Sequence, residues 1–242
     1  MNGWKQAFTI AKLELKASVF SFLFAFAFVL FLIYTLVSTF DAYMDNRFVF
    51  FDLIFILIFS FAPVWMTPKD FQIQKINGDL MASPILVMQN QLPISQEVLV
   101  KSRFIIHFFY SFPFQLLTVV ALYTISPLQS ILSFGSFITF AIMWFAFGVY
   151  VGYAIPYGDA GEKFPAKNDA FIVIFNLLFF TGVFLVFTFF HILFGNGIIY
   201  WSIALAENWP ILSSAISIIL AIAGYHHYKF YMKRKMDKID YL

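Results

Sequence analysis

Cysteine is absent from the 242-residue chain, which removes disulfides, thiolate-bound metals and cysteine nucleophiles from the chemistry open to it. Charge is scarce as well. Only 12% of the residues are Asp, Glu, Lys or Arg, too few to clothe a water-soluble globule of this size, and a net charge of +2 does not argue for nucleic acid as a partner. No Gly-x-x-x-x-Gly-Lys-(Ser/Thr) phosphate loop occurs, so nothing in the chain cradles a nucleotide by that route. Catalytic patterns are equally sparse. His226-His227 lacks the spacing of a His-Glu-x-x-His zinc site, and Pro156-Tyr157 precede Gly158-Asp159 where an intramembrane aspartyl protease needs a Gly-x pair.

What is present is apolar: 62% hydrophobic residues, 36 of them Phe, with a mean hydropathy of +0.84. Six stretches, residues 18–40, 48–66, 104–125, 130–154, 170–194 and 210–228, each have about the 17 to 25 residues needed to cross a ~30 Å hydrocarbon layer as a helix. The predicted fold is therefore an all-α integral membrane protein with six transmembrane helices. Threaded this way, fourteen of the fifteen Lys and Arg residues fall on one side. They are Lys5, Lys12 and Lys16; Lys69, Lys75, Lys101 and Arg103; Lys163 and Lys167; and Lys229, Lys233, Arg234, Lys235 and Lys238, with Arg47 alone opposite. Basic excess marks the cytoplasm, so both termini are expected inside a cell membrane, with 229–242 a basic cytoplasmic tail. The first stretch is longer than a signal-peptide core and no small-residue cleavage site follows it, so it is expected to remain as a signal anchor.

Between the spans the connections are short, and none leaves room for a soluble domain. No internal repeat relates the first three spans to the last three, which withholds support from an inverted-repeat carrier. At 100° per residue, Trp4, Ala7, Phe8, Ala11 and Leu15 share one side of a helix over residues 1–17, while Lys5, Thr9, Lys12 and Lys16 cluster on another. Such a helix lies flat among headgroups with its ammonium groups toward anionic lipid; the plainer alternative is a basic flank that orients the first span. In the longer connection 67–103, the segment from Leu92 and Pro93 to Arg103 reads as a deliberately started helix. Ser95 stands at the cap, Glu97 lies in the first turn, and Ile94 pairs with Leu99 as a staple. It is either a stiff peg toward a soluble partner or an amphipathic segment resting on lipid. Across the chain, residues 195–209 open on the turn Gly195-Asn196-Gly197 and continue as Ile198 to Trp209, too apolar for water and too short to span. A re-entrant or interfacial helix is expected there, with Trp201 and Trp209 equally suited to an aromatic belt.

At 92–103 the chain resembles the permease subunits of ABC-2 type ATP-binding cassette exporters. The match is Leu92-Pro93-Ile94-Ser95, then Val98-Leu99 and Lys101-Ser102-Arg103, with Gln96 where the family often has Arg. The resemblance covers the topology of the whole chain and about twelve specific positions. It implies a coupling helix whose Leu92, Pro93, Ile94, Ser95, Glu97, Val98 and Lys101 contact separate cytosolic ABC ATPase subunits, which bind the ATP and Mg. It implies a connecting helix carrying Trp4, Phe8, Lys12 and Lys16 beside them, and a second permease copy or homologue completing the pathway. Segment 195–209 would narrow the exit, with Tyr200, Trp201, Glu207 and Trp209 as a gate. The cargo implied is a hydrophobic or amphipathic peptide, in keeping with a Phe-rich, Cys-free chain of Gram-positive bacterial style. An ion-coupled secondary carrier and a non-transporting anchor or sensor are the rival readings.

Within the spans, Asp52 is expected to reach toward the far headgroups. There it would join Asp41, Asp45 and Glu207 in favouring a cationic cargo. His107 and His191 are expected to be packing residues, and Gly148 with Gly152 forms a small-x-x-x-small pair that permits close helix approach.

Overall fold

The computed structural model describes residues 3–46, 48, 50–77, 80–163 and 169–239. Arg47 and Lys167, which the sidedness argument uses, and the final tail residues lie outside them. The chain is predominantly helical. Helix α1 (Gly3–Ala17) gives way at Ser18 to α2 (Val19–Met44), followed by α3 (Phe50–Met66). After a 3-10 turn at Lys69–Phe71 come β1 (Gln74–Asn77), β2 (Leu80–Ala82), α4 (Pro84–Asn90) and α5 (Gln96–Ile125). The rest is α6 (Leu128–Ile131), α7 (Phe134–Gly152), α8 (Ala154–Asp159), β3 (Glu162–Lys163), α9 (Asp169–Phe194), α10 (Ile198–Asn208) and α11 (Pro210–Met236).

Five stretches among the described residues are long and apolar enough to cross a membrane: Val19–Met44, Gln96–Ile125, Phe134–Asp159, Leu177–Phe194 and Pro210–Met236. The span expected at 48–66 is the apolar helix α3, whose 17 residues measure only about 25 Å. Two features depart from the sequence-based expectation. A small antiparallel sheet in the order β1-β2-β3 joins two strands of the connection 67–103 to one from the connection 155–169, with Lys75 opposite Met81 and Met81 opposite Glu162, so the fold is not purely helical. Secondly, the helix expected over 92–103 begins at Gln96 and runs unbroken to Ile125. It is the first two turns of a 30-residue rod about 45 Å long, not a separate peg. Ser95 does occupy the N-cap position, but its hydroxyl makes no capping bond.

The main core joins α2, α3, α5, α7 and α10 through Val29, Leu36, Phe40, Phe55, Phe59, Phe114, Phe140 and Trp144. One polar contact in it has a specific cause. Pro63 inside α3 has no N–H to give the carbonyl four residues earlier, and that carbonyl, Phe59 O, instead accepts a bond of 3.0 Å from Gln115 Nε2 of α5. Gly148 of α7 makes room for the amide, since a Cβ there would overlap the Gln115 side chain. His107 lies against Gly152 in the same way. The glycine pair thus admits two polar side chains of α5, where the sequence suggested only helix approach. Helix α9 stands apart, touching α3 through Phe50–Phe184 and Phe61–Phe180 ring contacts, with most of its described side chains exposed. A cavity of about 460 Å³ lies between it and α3, α7 and α8.

Candidate functional site

Helix α1 and the last turns of α11 pack near the start of α5 at one end of the helix bundle, where Lys101, Arg103, Lys229 and Lys235 form ion pairs. At its centre lies Arg103, 2% exposed, near the start of α5. A guanidinium out of water needs partners in fixed directions, and three elements supply them. Arg103 Nη1 lies 2.8 Å from Glu14 Oε2 of α1 and 4.0 Å from Asp159 Oδ2 of α8, while Nη2 donates to Gln89 Oε1 of α4 at 3.3 Å. Glu14 is itself 4% exposed. Ser18 adds a second tie between α1 and α5, hydrogen-bonding to Tyr110 Oη while donating to Glu14 O at 2.7 Å. The Asp159 carbonyl accepts the Ser83 N–H at 3.2 Å, which fixes the lead into α4. Around this junction Leu86, Leu99, Val100, Phe104, Ala160, Met232 and Met236 form a compact apolar cluster.

The residues predicted for ATPase contact divide into two groups here. Val98 is 4% exposed and faces inward, which removes it from any contact surface. Ile94 is half-buried against the cluster that contains Leu99, as the staple pairing requires. Glu97 is exposed but occupied, 2.9 Å from Lys101 Nζ and 3.7 Å from Lys229 Nζ of α11. Lys101 also stands 5.0 Å over the Trp4 ring, so residues foreseen separately on the N-terminal helix and on the loop meet directly. Leu92, Pro93 and Ser95 remain exposed, and with them Met88 and Gln91 from the end of α4. Leu92 at 54% and Met88 at 63% exposure are the large apolar groups of this patch. Lys12 and Lys16 are exposed, and Phe8 packs its ring 6.2 Å from that of Phe109. Of the face expected on lipid, Ala7 and Ala11 instead bury completely toward α5.

At the opposite end α10 is anchored by its own N-terminus. Asp52, 1% exposed, accepts the Ile198 N–H at 2.8 Å, the Ile199 N–H at 3.0 Å and the Tyr43 hydroxyl at 2.7 Å; Tyr43 Oη in turn accepts the Tyr200 N–H at 2.9 Å. The first turn of a helix leaves its N–H groups without internal partners and carries partial positive charge, so a carboxylate there is stabilised. Asp52 does not reach outward: it caps α10, and Gly197 must lack a side chain because a Cβ would overlap its carboxylate. Asn46 Nδ2 donates to Gly195 O and Trp144 Nε1 to Ser202 Oγ, fastening α10 further. Of the predicted gate, Tyr200 is half-buried, while Trp201, Glu207 and Trp209 are exposed. Trp201, Leu205 and Trp209, spaced one turn apart, form the exposed apolar stripe of this segment.

His107 and His191 are buried, with no hydrogen-bond partner on either ring nitrogen among the described residues. No group of three or more His, Cys, Asp and Glu suited to a metal occurs among them either. Sequence reasoning missed Glu14, Gln89 and Asp159. Glu14 carried one signal: it follows Ala7 and Ala11 at helical spacing, on the small-residue face that packs. Asp159 and Gln89 carried none, because their meeting with Arg103 is entirely tertiary.

By length and composition the helices define a class, the α-helical membrane proteins. No protein-family model matches the chain, and neither a curated protein nor a solved structure matches it.

Proposed function

We propose that the chain is the membrane permease of an exporter driven by separate cytosolic ATPases, with its basic end in the cytoplasm and α3 as a sixth span. One observation carries this reading. The exposed groups Met88, Gln91, Leu92, Pro93 and Ser95 lead into a helix about 45 Å long that is locked by Arg103 to α1, α4 and α8 and is long and apolar enough to cross a membrane. A push on Met88 and Leu92 is therefore delivered to the spans with little loss in flexing. Mechanical input suits a chain with no phosphate loop of its own. The docking surface in this reading is Met88, Gln91, Leu92, Pro93 and Ser95, while Glu97, Val98 and Lys101 hold the lever in place. Helix α10 stands at the exit, its Trp201, Leu205 and Trp209 stripe facing a second permease copy, and a hydrophobic or amphipathic peptide is the cargo class.

The test is co-purification of an ABC ATPase with the tagged chain from its native membranes. Leu92→Asp and Met88→Asp, both on exposed positions, are expected to abolish capture without loss of the folded permease. Capture undiminished in both variants contradicts the docking surface. A second reading, an ion-coupled carrier, is favoured by the buried junction of two carboxylates on one guanidinium. Uptake into proteoliposomes driven by an ion gradient without ATP distinguishes it.

A further inference from the structure

A groove of about 550 Å³, within the ~300 to 1,000 Å³ range of ligand pockets, opens at the basic end between α1, α5, the end of α7 and α11. Its floor is aromatic. Phe104 contacts Tyr153 at 4.6 Å and Tyr225 at 5.6 Å, and Phe108 continues the floor one turn further along α5. Its lips, Trp4 and Phe8 on α1, remain about half exposed. The groove is not wholly apolar, because Lys5 stands among the lining residues. Neighbouring Lys101 is engaged by Glu97 and by the Trp4 ring, but the Lys5 ammonium has no carboxylate within ion-pairing distance among the described residues. A trough of rings with one uncompensated cation at its mouth matches an amphiphile that carries one anionic head and an apolar chain. A zwitterionic lipid brings its own cation beside its phosphate and so answers the ammonium less well, and a soluble anion would leave the rings uncovered.

We infer that this groove is a binding site for one anionic glycerophospholipid of the surrounding bilayer, its acyl chain along Phe104 and Phe108 and its phosphate at Lys5. The inference rests on the membrane-spanning character of the helices and stands apart from the transport reading. A lipid held there touches α1, α5 and α11 at once, all three of which enclose the Arg103 junction or its apolar surround.

The experiment titrates the purified full chain with phosphatidylglycerol and, separately, phosphatidylcholine, counting bound lipid by native mass spectrometry. One phosphatidylglycerol is expected to bind ahead of all others. Lys5→Gln should weaken that first site roughly fivefold, the effect of about one lysine at a membrane surface. Lys5→Arg should retain it, and Lys12→Gln, on the same helix but outside the groove, should leave it unchanged. Ile105→Trp, which fills the groove and keeps the charge, should weaken it as well; the Lys5 pair decides the matter if that variant fails to fold. Inorganic phosphate should not compete. Equal binding of the two lipids, equal losses in Lys5→Gln and Lys12→Gln, or displacement by phosphate overturns the site.

Discussion

Asp52 illustrates how a single charge in an apolar helix acquires its meaning from a segment 146 residues away. Buried in the first turn of the apolar helix α3, it carries a desolvation cost that the N–H groups of α10 and the Tyr43 hydroxyl offset. Replacing it with Ala leaves the Ile198 and Ile199 N–H groups and the Tyr43 hydroxyl without their acceptor. At ~1 to 3 kcal/mol for each group left unsatisfied, Asp52→Ala should lower the thermal midpoint in detergent sharply and free α10 to proteolysis. Asp52→Asn keeps one acceptor oxygen and should fall between. A midpoint unchanged in Asp52→Ala would show that the cap contributes nothing to the fold. Arg103 is the corresponding residue at the basic end. Arg103→Met strands Glu14 without its partner in the interior and should cost about 3 to 5 kcal/mol by chemical or thermal unfolding. Adding Glu14→Gln to it should recover most of that loss, and strict additivity of the two changes would contradict the pairing.

At the scale of elements, five of the six expected spans were legible as long apolar helices because membrane crossing imposes a length and a composition that any sequence must display. The starts of α2, α9 and α11 follow from runs of apolar residues opened by Ser18, Asp169 and Pro210, whereas α11 continues to Met236, through most of the basic stretch expected as a tail. The boundary at Gln96 was legible too, from Pro93 and Ser95. What could not be read was continuity: nothing between Lys101 and Phe104 breaks a helix, yet the change from polar to apolar composition invited a division there. The sheet was hidden for another reason, since β3 has two residues and its pairing with β2 spans some eighty positions. At the candidate site, the start of a helix after Pro93 and Ser95 was visible from sequence, whereas the fixed orientation of α5 depends on Glu14, Gln89 and Asp159, whose convergence with Arg103 is tertiary. Two glycines inserted after Ser102 test the importance of continuity. They should leave an ATPase bound at Met88 and Leu92 but reduce cargo export at least tenfold, because the lever then bends before it reaches the spans. Full export in that variant would separate the docking turn from the transport step.

For the whole molecule, an exposed apolar patch at the end where α1 and the last turns of α11 lie is joined to a bundle whose opposite end carries the capped helix α10. The patch, the junction and the capped helix are linked through α5, α3 and α7, so a displacement at one end has a packed route to the other. The absence of native cysteine makes this directly measurable, since a single introduced thiol is the only one present. The most direct measurement is crosslinking in native membranes from Met88→Cys and, in parallel, from Glu207→Cys, using a maleimide photocrosslinker and identifying adducts by mass spectrometry. The account predicts an ABC ATPase adduct from position 88 and none from position 207. An ATPase captured from position 207, or from neither while it still co-purifies with the chain, would contradict it.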